Sequence, residues 1–287
     1  MNTSPLSIAV VQCRLDGARV DNLARIERWI REAARRGAQL IVTPELFEGR
    51  YFPQRKRADD RSLAAPLVDH PTLGAMRALA QELEVVLPIS IYEQDGSARY
   101  NSLVPIDADG RSLGVYRKSH IPDGPGYEEK FYFRPGNTGF QAWDTQVGRV
   151  GAGVCWDQWF PESARAMALL GAEVLLYPTA IGTEPATPEQ DSRDPWRRVM
   201  IGHAVANATP LAAANRIGVE GALTFYGSSF ICDHRGEMIA ELGREEEGVA
   251  IATIDREALA RYRENWEFMR DRRPDLYDTL VHDEEPD

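Results

Sequence analysis

Three side chains in this 287-residue sequence have the types and settings that covalent acyl transfer needs: Cys155, Glu45 and Lys118. Cys155 lies in RVGAGVCWDQWFPE, residues 149–162. There Val150, Gly151, Ala152, Gly153 and Val154 predict a short buried strand, and Pro161 stands where a following helix would begin. The cysteine is therefore expected at a strand-to-helix turn. A side chain at such a bend projects from the carboxyl end of a strand, and the backbone N–H groups just after it are free to face an anion. Taken alone, the segment fits an unreactive cysteine packed under a sheet slightly better. Glu45 and Lys118 alter that balance. A cysteine thiol of ordinary pKa, about 8.5, is mostly protonated at neutral pH and needs a base or a cation beside it. Glu45 can take the proton, the more effectively if it is buried. Lys118, with the backbone N–H of Trp156, can hold the oxyanion that forms when a thiolate adds to a carbonyl.

The elements that must position these groups follow from periodicity. Residues 7–12 and 40–42 read as buried strands, with Glu45 just past the second. Between them Asp21 is expected to open an amphipathic helix that stops at Gly37. A helix over 72–84 with Thr72 as N-cap precedes a strand at 85–92, and a hairpin turning at 108–110 delivers Lys118 at a strand end. Residues 119–140 form a long Gly- and Pro-rich loop too aromatic to be a disordered linker, taken here as a wall of the site. Further on, strands are expected at 173–182, at 210–218 and in a second hairpin around 233–237, with a helix from 195 to 208 opened by Pro195 and a closing helix ended by Pro274. Strands in both alternating and hairpin contexts, with helices between, predict an α/β four-layer αββα sandwich: two mixed β-sheets face to face, flanked by helices.

The whole chain, 1–287, is read as a single domain, with the acidic tail from about 272 on the surface or against a second copy. A net charge of −11 disfavours nucleic acid and anionic membrane as partners and suits a cationic small molecule. Cys13, Cys155 and Cys232 form no disulfide framework and no zinc-binding pair, which points to the reducing cytoplasm, and the N-terminus reads as neither a signal peptide nor a membrane span. Cys13 and Cys232 are expected to be inert core, His120 to order its loop, His203 to pair with Asn207, and His70, His234 and His282 to be solvated.

PELFEGRYF, YRKSHIPDGPGYEEKFYF and GVCWDQWFPE, with YPTAIGTEP, NRIG, FYGSSF and RDRRPDLY, resemble the carbon–nitrogen hydrolase (nitrilase) superfamily over essentially the whole chain. Within it they are most similar to the branch that acts on N-carbamoylputrescine. The resemblance implies a Glu45, Lys118 and Cys155 triad, with Glu129 of EEK as a second glutamate that positions Lys118 and the substrate. It also implies hydrolysis of N-carbamoylputrescine to putrescine, CO2 and ammonia through an S-carbamoyl cysteine, no metal, no organic cofactor, and homo-oligomers built from dimers. Asn137, Pro195 and Ala214 depart from that branch, which commonly has Asp, His and Ser there; none belongs to the triad. A cationic substrate needs a carboxylate for its distal ammonium, and Asp123, Glu128 and Glu184 are candidates, with Tyr51, Phe52, Tyr127 and Trp156 as walls. Sibling activities on a carbamoyl β-amino acid, an ω-amide or a nitrile, and a catalytically silent scaffold, are the competing readings.

Overall fold

The computed structural model describes residues 4–281, so the expectation for His282 and the end of the tail falls outside it. The first half of the chain contributes β1 (Leu6–Gln12), α1 (Arg19–Arg35), β2 (Leu40–Val42), α2 (Pro71–Leu83), β3 (Leu87–Asp95), β4 (Ala98–Ile106) and β5 (Tyr116–Arg117). The second half contributes β6 (Ala142–Thr145), β7 (Gly148–Ala152), α3 (Pro161–Leu169), β8 (Val174–Pro178), α4 (Arg193–Asn207), β9 (Leu211–Ala214), β10 (Ile217–Glu220), β11 (Leu223–Tyr226), β12 (Phe230–Cys232), β13 (Met238–Glu241), β14 (Gly248–Ile254) and α5 (Arg256–Trp266).

Among the described residues two mixed sheets result, with β10 and β11 forming a separate antiparallel pair. In the first, β14 runs antiparallel to β1, and β1 parallel to β2 with Ile8 opposite Leu40. A parallel bridge between Leu40 and Val86 carries the sheet on to the antiparallel strands β3, β4 and β5. The second has the order β13, β12, β9, β8, β7, β6, with β9, β8 and β7 parallel. Alternation along each strand assigns side chains to layers. Ile8, Val10 and Val42 pack against Ala152, Leu176 and Ala212 between the sheets. Ala9, Val11 and Ile41 face Ile26 and Ile30 of α1 and Met76 of α2 on one outer side. Leu175, Tyr177 and Ala213 face Met167 of α3 and Trp196 and Met200 of α4 on the other. This is the expected αββα sandwich. Its central strands are buried on both faces, and each fully buried Val, Leu or Ile contributes about 1.5–3 kcal/mol relative to exposure.

Element ends differ where tertiary contacts override local signals. Thr72, expected as an N-cap, lies inside α2, where its hydroxyl accepts from Arg19 Nη2 at 2.7 Å. Helix α4 begins two residues before Pro195, which still lies in the first turn, where its missing N–H leaves no bond unmade. The first helix opens at Arg19 rather than Asp21, and the closing helix stops at Trp266, where Glu267 turns left-handed with φ 41°. Hairpins joining β3 to β4 and β10 to β11 add to those expected.

The carboxyl ends of β2, β7 and β8 open towards one region, and the end of β5 reaches it by a close backbone approach. Lys118 N donates to Asn101 O at 2.8 Å, and Gly136 N donates to Lys118 O at 2.8 Å. A Cβ on residue 136 would fall on the Arg117 carbonyl. Gly136→Ala is therefore expected to lower stability by about 1–3 kcal/mol through overpacking and to displace Lys118, reducing kcat. Urea titration with a parallel activity assay checks both effects, and an Ala variant with unchanged midpoint and rate contradicts the contact.

Candidate active site

Four side chains meet where the two sheets open: Glu45 and Glu129, each fully buried, Lys118, equally buried, and Cys155, 5% exposed. Glu45 follows β2, and its backbone N–H donates to Thr179 O, just past β8, at 3.2 Å. Leu46 is left-handed, with φ 46°, and its N–H is held by Ser90 Oγ at 3.1 Å. The turn that carries Glu45 is thus tied to both sheets.

Lys118 Nζ donates to Glu45 Oε1 at 2.9 Å and to Glu129 Oε2 at 2.7 Å. Asn101 Nδ2 donates to Glu45 Oε1 at 2.6 Å, and Tyr51 OH donates to Glu129 Oε1 at 2.6 Å. Burial alone would discharge the lysine, but the Glu129 and Glu45 carboxylates outweigh it and hold its pKa above the ordinary range. Burial pushes Glu129 up to about 7, with Lys118 and the Tyr51 hydroxyl pulling the other way. Two consequences follow from the valences. Glu45 Oε2 is buried with no hydrogen-bond partner among the described residues, so it is an open acceptor. An ammonium has three protons, and the two carboxylates take two, so the third can face a substrate oxygen.

Cys155 opens the short 3₁₀ helix Cys155–Trp159 and is itself left-handed, with φ 44°. That conformation costs a non-glycine residue about 1–2 kcal/mol and is held by its surroundings. Asp157 supplies the hold. Its Oδ2 accepts from Val154 N at 2.9 Å and Tyr116 OH at 2.8 Å, while Oδ1 accepts from His120 N at 3.0 Å and lies 2.8 Å from His120 Nδ1. His120, stacked on Phe160 with centroids 3.6 Å apart, orders its loop through this carboxylate. Asp157 therefore joins the chain after Lys118 to the turn that carries Cys155, a role its sequence position does not signal. The thiol donates to Ala180 O at 3.8 Å. Burial, then Glu45, raise its pKa well above the ordinary value against the pull of Lys118, so the resting sulfur is neutral and gives up its proton only as it reacts. The Trp156 N–H lies in the first turn of the 3₁₀ helix, where backbone donors lack an intrahelical acceptor.

The residues expected around the substrate separate into groups. Tyr51 is buried, packs its ring against Tyr127 and Phe225, and spends its hydroxyl on Glu129. Phe52 stacks on Tyr92 and meets Tyr132 edge-on. Both line a cavity of about 490 Å³ with Arg19, Glu48, Arg57 and Glu220; neither Lys118 nor Cys155 lines it. Tyr127 OH accepts from Gly182 N at 2.9 Å and donates to Thr183 O at 3.1 Å. Trp156 is 37% exposed, and its ring packs edge-on to Trp159. Asp123 is exposed, and Glu128 pairs with Lys56 at 2.8 Å. Glu184 is half-buried, accepts from Ser192 Oγ at 3.0 Å, and has its pKa raised by burial. Burial lifts the Tyr127 and Tyr226 hydroxyls, and charge on Glu184 and on Cys155 adds to both. Cys13 and Cys232 are buried, and burial raises each thiol to about 12. His203 bonds through Nε2 to Gln158 O at 2.9 Å, and Asn207 donates to its backbone carbonyl rather than its ring. His70 and His234, expected to be solvated, are both buried. Among the described residues no group of three or more His, Cys, Asp or Glu side chains could hold a metal ion, and no helix is long and apolar enough to cross a membrane.

The chain belongs to the carbon-nitrogen hydrolase family, whose model matches residues 7–264. It is a hydrolase acting on C–N bonds. It is 53% identical over 268 residues to an N-carbamoylputrescine amidase of Arabidopsis thaliana, covering 91% of this chain and 90% of the relative. It is 50% identical over 280 residues to a citrullinase of Francisella tularensis subsp. tularensis, covering 96% and 98%. The crystal structure of a carbon-nitrogen hydrolase from Helicobacter pylori G27 superposes with a TM-score of 0.92 at 39% identity, over 98% of this chain and 99% of that one.

The hydrogen bond from Tyr51 favours the ionised form of Glu129, which protonates as the pH falls through about 7. Protonation removes one of the two carboxylates that hold Lys118, so the acidic limb of the kcat profile is expected near that value. Tyr51→Phe should move the limb upward by about one to two pH units, the equivalent of a hydrogen bond to a charged group at about 1.5–3 kcal/mol. Profiles of the two proteins measured side by side check this; superimposable limbs contradict it.

Proposed function

We propose that the protein hydrolyses N-carbamoylputrescine to putrescine, carbon dioxide and ammonia. The observation that carries the reading is the open Oε2 of Glu45 in the same buried cluster as a neutral thiol and a lysine with a proton to spare. In this account Glu45 takes the Cys155 proton as sulfur adds to the ureido carbon. The third N–H of Lys118 and the Trp156 N–H hold the oxyanion, and Glu129 keeps Lys118 charged and in place. Collapse breaks the C–N bond, with Glu45 returning the proton to the departing nitrogen and leaving an S-carbamoyl cysteine. Water, deprotonated by the same glutamate, then cleaves the C–S bond of this thiocarbamate, the thiol regains its proton, and the carbamate falls to CO2 and ammonia. Each donor aimed at the oxyanion is worth about 10²–10³ in rate.

Glu184 is the carboxylate that best fits the distal ammonium, because Glu128 is engaged by Lys56 and Asp123 is exposed. The relatives named as N-carbamoylputrescine amidases support a diamine urea. Citrulline, suggested by the name of the Francisella relative, carries a carboxylate as well. The nearby cations are already taken: Arg193 donates to Ser228 Oγ at 2.9 Å and pairs with Asp194 at 2.8 Å, and Arg244, over the Tyr226 ring, pairs with Asp191. The half-exposed Leu169 and Leu170 at the end of α3, with Leu276 and Leu280 in the tail, support assembly into homo-oligomers through these segments.

Ammonia release from N-carbamoylputrescine, citrulline and N-carbamoyl-β-alanine tests the reading. Turnover of the diamine urea is expected, with activity abolished in Cys155→Ala. Loss of an ionic hydrogen bond in Glu184→Ala should raise KM about tenfold or more for that substrate and leave an uncharged N-carbamoyl alkylamine within about twofold. Preferential turnover of citrulline, or an unmoved KM in Glu184→Ala, overturns the assignment of the distal site.

A further inference from the structure

We propose that Arg216 and Glu220 form a positioning pair that sets the two glutamates of the site at once. Arg216 follows β9, is fully buried, and spreads its guanidinium over the turn that carries the base. Nη2 donates to the carbonyl oxygens of Glu45 at 2.8 Å and Leu46 at 3.0 Å, and Nη1 donates to Gly49 O at 3.2 Å. Nη1 also pairs with Glu220 Oε1 at 2.9 Å. The second oxygen of Glu220 accepts from Tyr51 N at 2.7 Å, and the Tyr51 hydroxyl is the donor that grips Glu129. One ion pair therefore reaches the base through its own peptide group and the second glutamate through the backbone of Tyr51.

Three physical points favour positioning over simple packing. Leu46 adopts a left-handed φ of 46°, so the direction of the Glu45 and Leu46 carbonyls is not set by local preference and needs an outside hold. A planar guanidinium with several fixed donors can bind carbonyls and a carboxylate together, which an ammonium cannot do in one geometry. An ion pair without solvent exposure is a poor way to fill space, because apolar residues of similar volume are often as stable or more so. The neighbouring Asn215 extends the same logic to the nucleophile. It accepts from Ile181 N at 3.1 Å and donates to Ile181 O at 2.9 Å, fixing the loop next to Ala180, the acceptor of the Cys155 thiol.

The proposal rests on Glu45 as the base and not on which substrate is turned over, so its test uses a reaction that needs no substrate. The double variant Arg216→Met/Glu220→Leu replaces the pair with apolar side chains and is compared with wild type by thermal melting, by the rate of Cys155 alkylation with iodoacetamide at neutral pH, and by kcat and KM on N-carbamoylputrescine. A folded double variant is expected to show alkylation and kcat lowered by about 10²-fold, the loss that accompanies a misplacement near 1 Å, with KM within about threefold. A folded double variant with both rates within about threefold of wild type overturns the proposal. If the double variant does not fold, Glu220→Gln decides. It keeps the volume but turns an amide N–H towards either Arg216 or Tyr51, and it should slow alkylation about tenfold while melting as a single transition; an unchanged rate overturns the proposal. Alkylation that responds to these variants in a protein inert towards N-carbamoylputrescine would move the substrate and leave the role of the pair supported.

Discussion

A lysine ammonium with no access to water is the constraint on which the rest of this molecule depends. Removing such an ion from solvent costs several kcal/mol, and only close opposite charge with good hydrogen-bond geometry offsets it. Lys118 meets that requirement with two carboxylates, one 73 residues before it and one 11 residues after it. The chain must therefore bring three distant segments to one point and keep them dry, which a pair of sheets buried on both faces can do. The same arrangement leaves one carboxylate oxygen without a partner among the described residues. Stability asks for the cluster, and the proposed base is the position the cluster leaves open.

Two residues at the site adopt conformations that side chains resist. Leu46, next to Glu45, and Cys155 itself both have positive φ. Neither is held by its own sequence neighbours alone. Arg216 grips the carbonyls around Leu46, and Asp157 gathers Val154, Tyr116 and His120 around the cysteine turn. Buried polar side chains thus act as struts between loops, and their hydrogen bonds run to backbone groups as often as to other side chains. Strain at these two positions is offset by bonds to buried polar side chains nearby.

The layers and the turn that carries Cys155 were legible in the sequence because they rest on local pattern. Short continuous apolar runs mark strands whose two faces are both covered, a 3.6-residue repeat marks the covering helices, and small residues followed by Pro161 mark the turn at Cys155. Glu129 was visible only by resemblance, since a glutamate in an EEK run reads as surface and its burial depends on Lys118 and Tyr51 reaching it from elsewhere. Arg216, Glu220 and Asp157 carried no signal of their function for the same reason. A charged residue is named by its sequence position but given a role by its partners, and these partners lie as far as 171 residues away. Asp123, Glu128 and Glu184 were equivalent as loop carboxylates; solvent around the first, Lys56 beside the second, and the half-buried setting of the third against Ser192 make them different.

The central claim is that Glu45 removes the proton from a thiol that is neutral at rest. The pH dependence of Cys155 alkylation in wild type and in Glu45→Gln tests it most directly, because no substrate, product release or later step enters. The account predicts that the glutamine variant stays folded and reacts about 10²–10⁴-fold more slowly at neutral pH, approaching wild type only at alkaline pH, where hydroxide replaces the missing base. Equal rates across the neutral range would mean that the thiolate forms without Glu45 and would contradict the account.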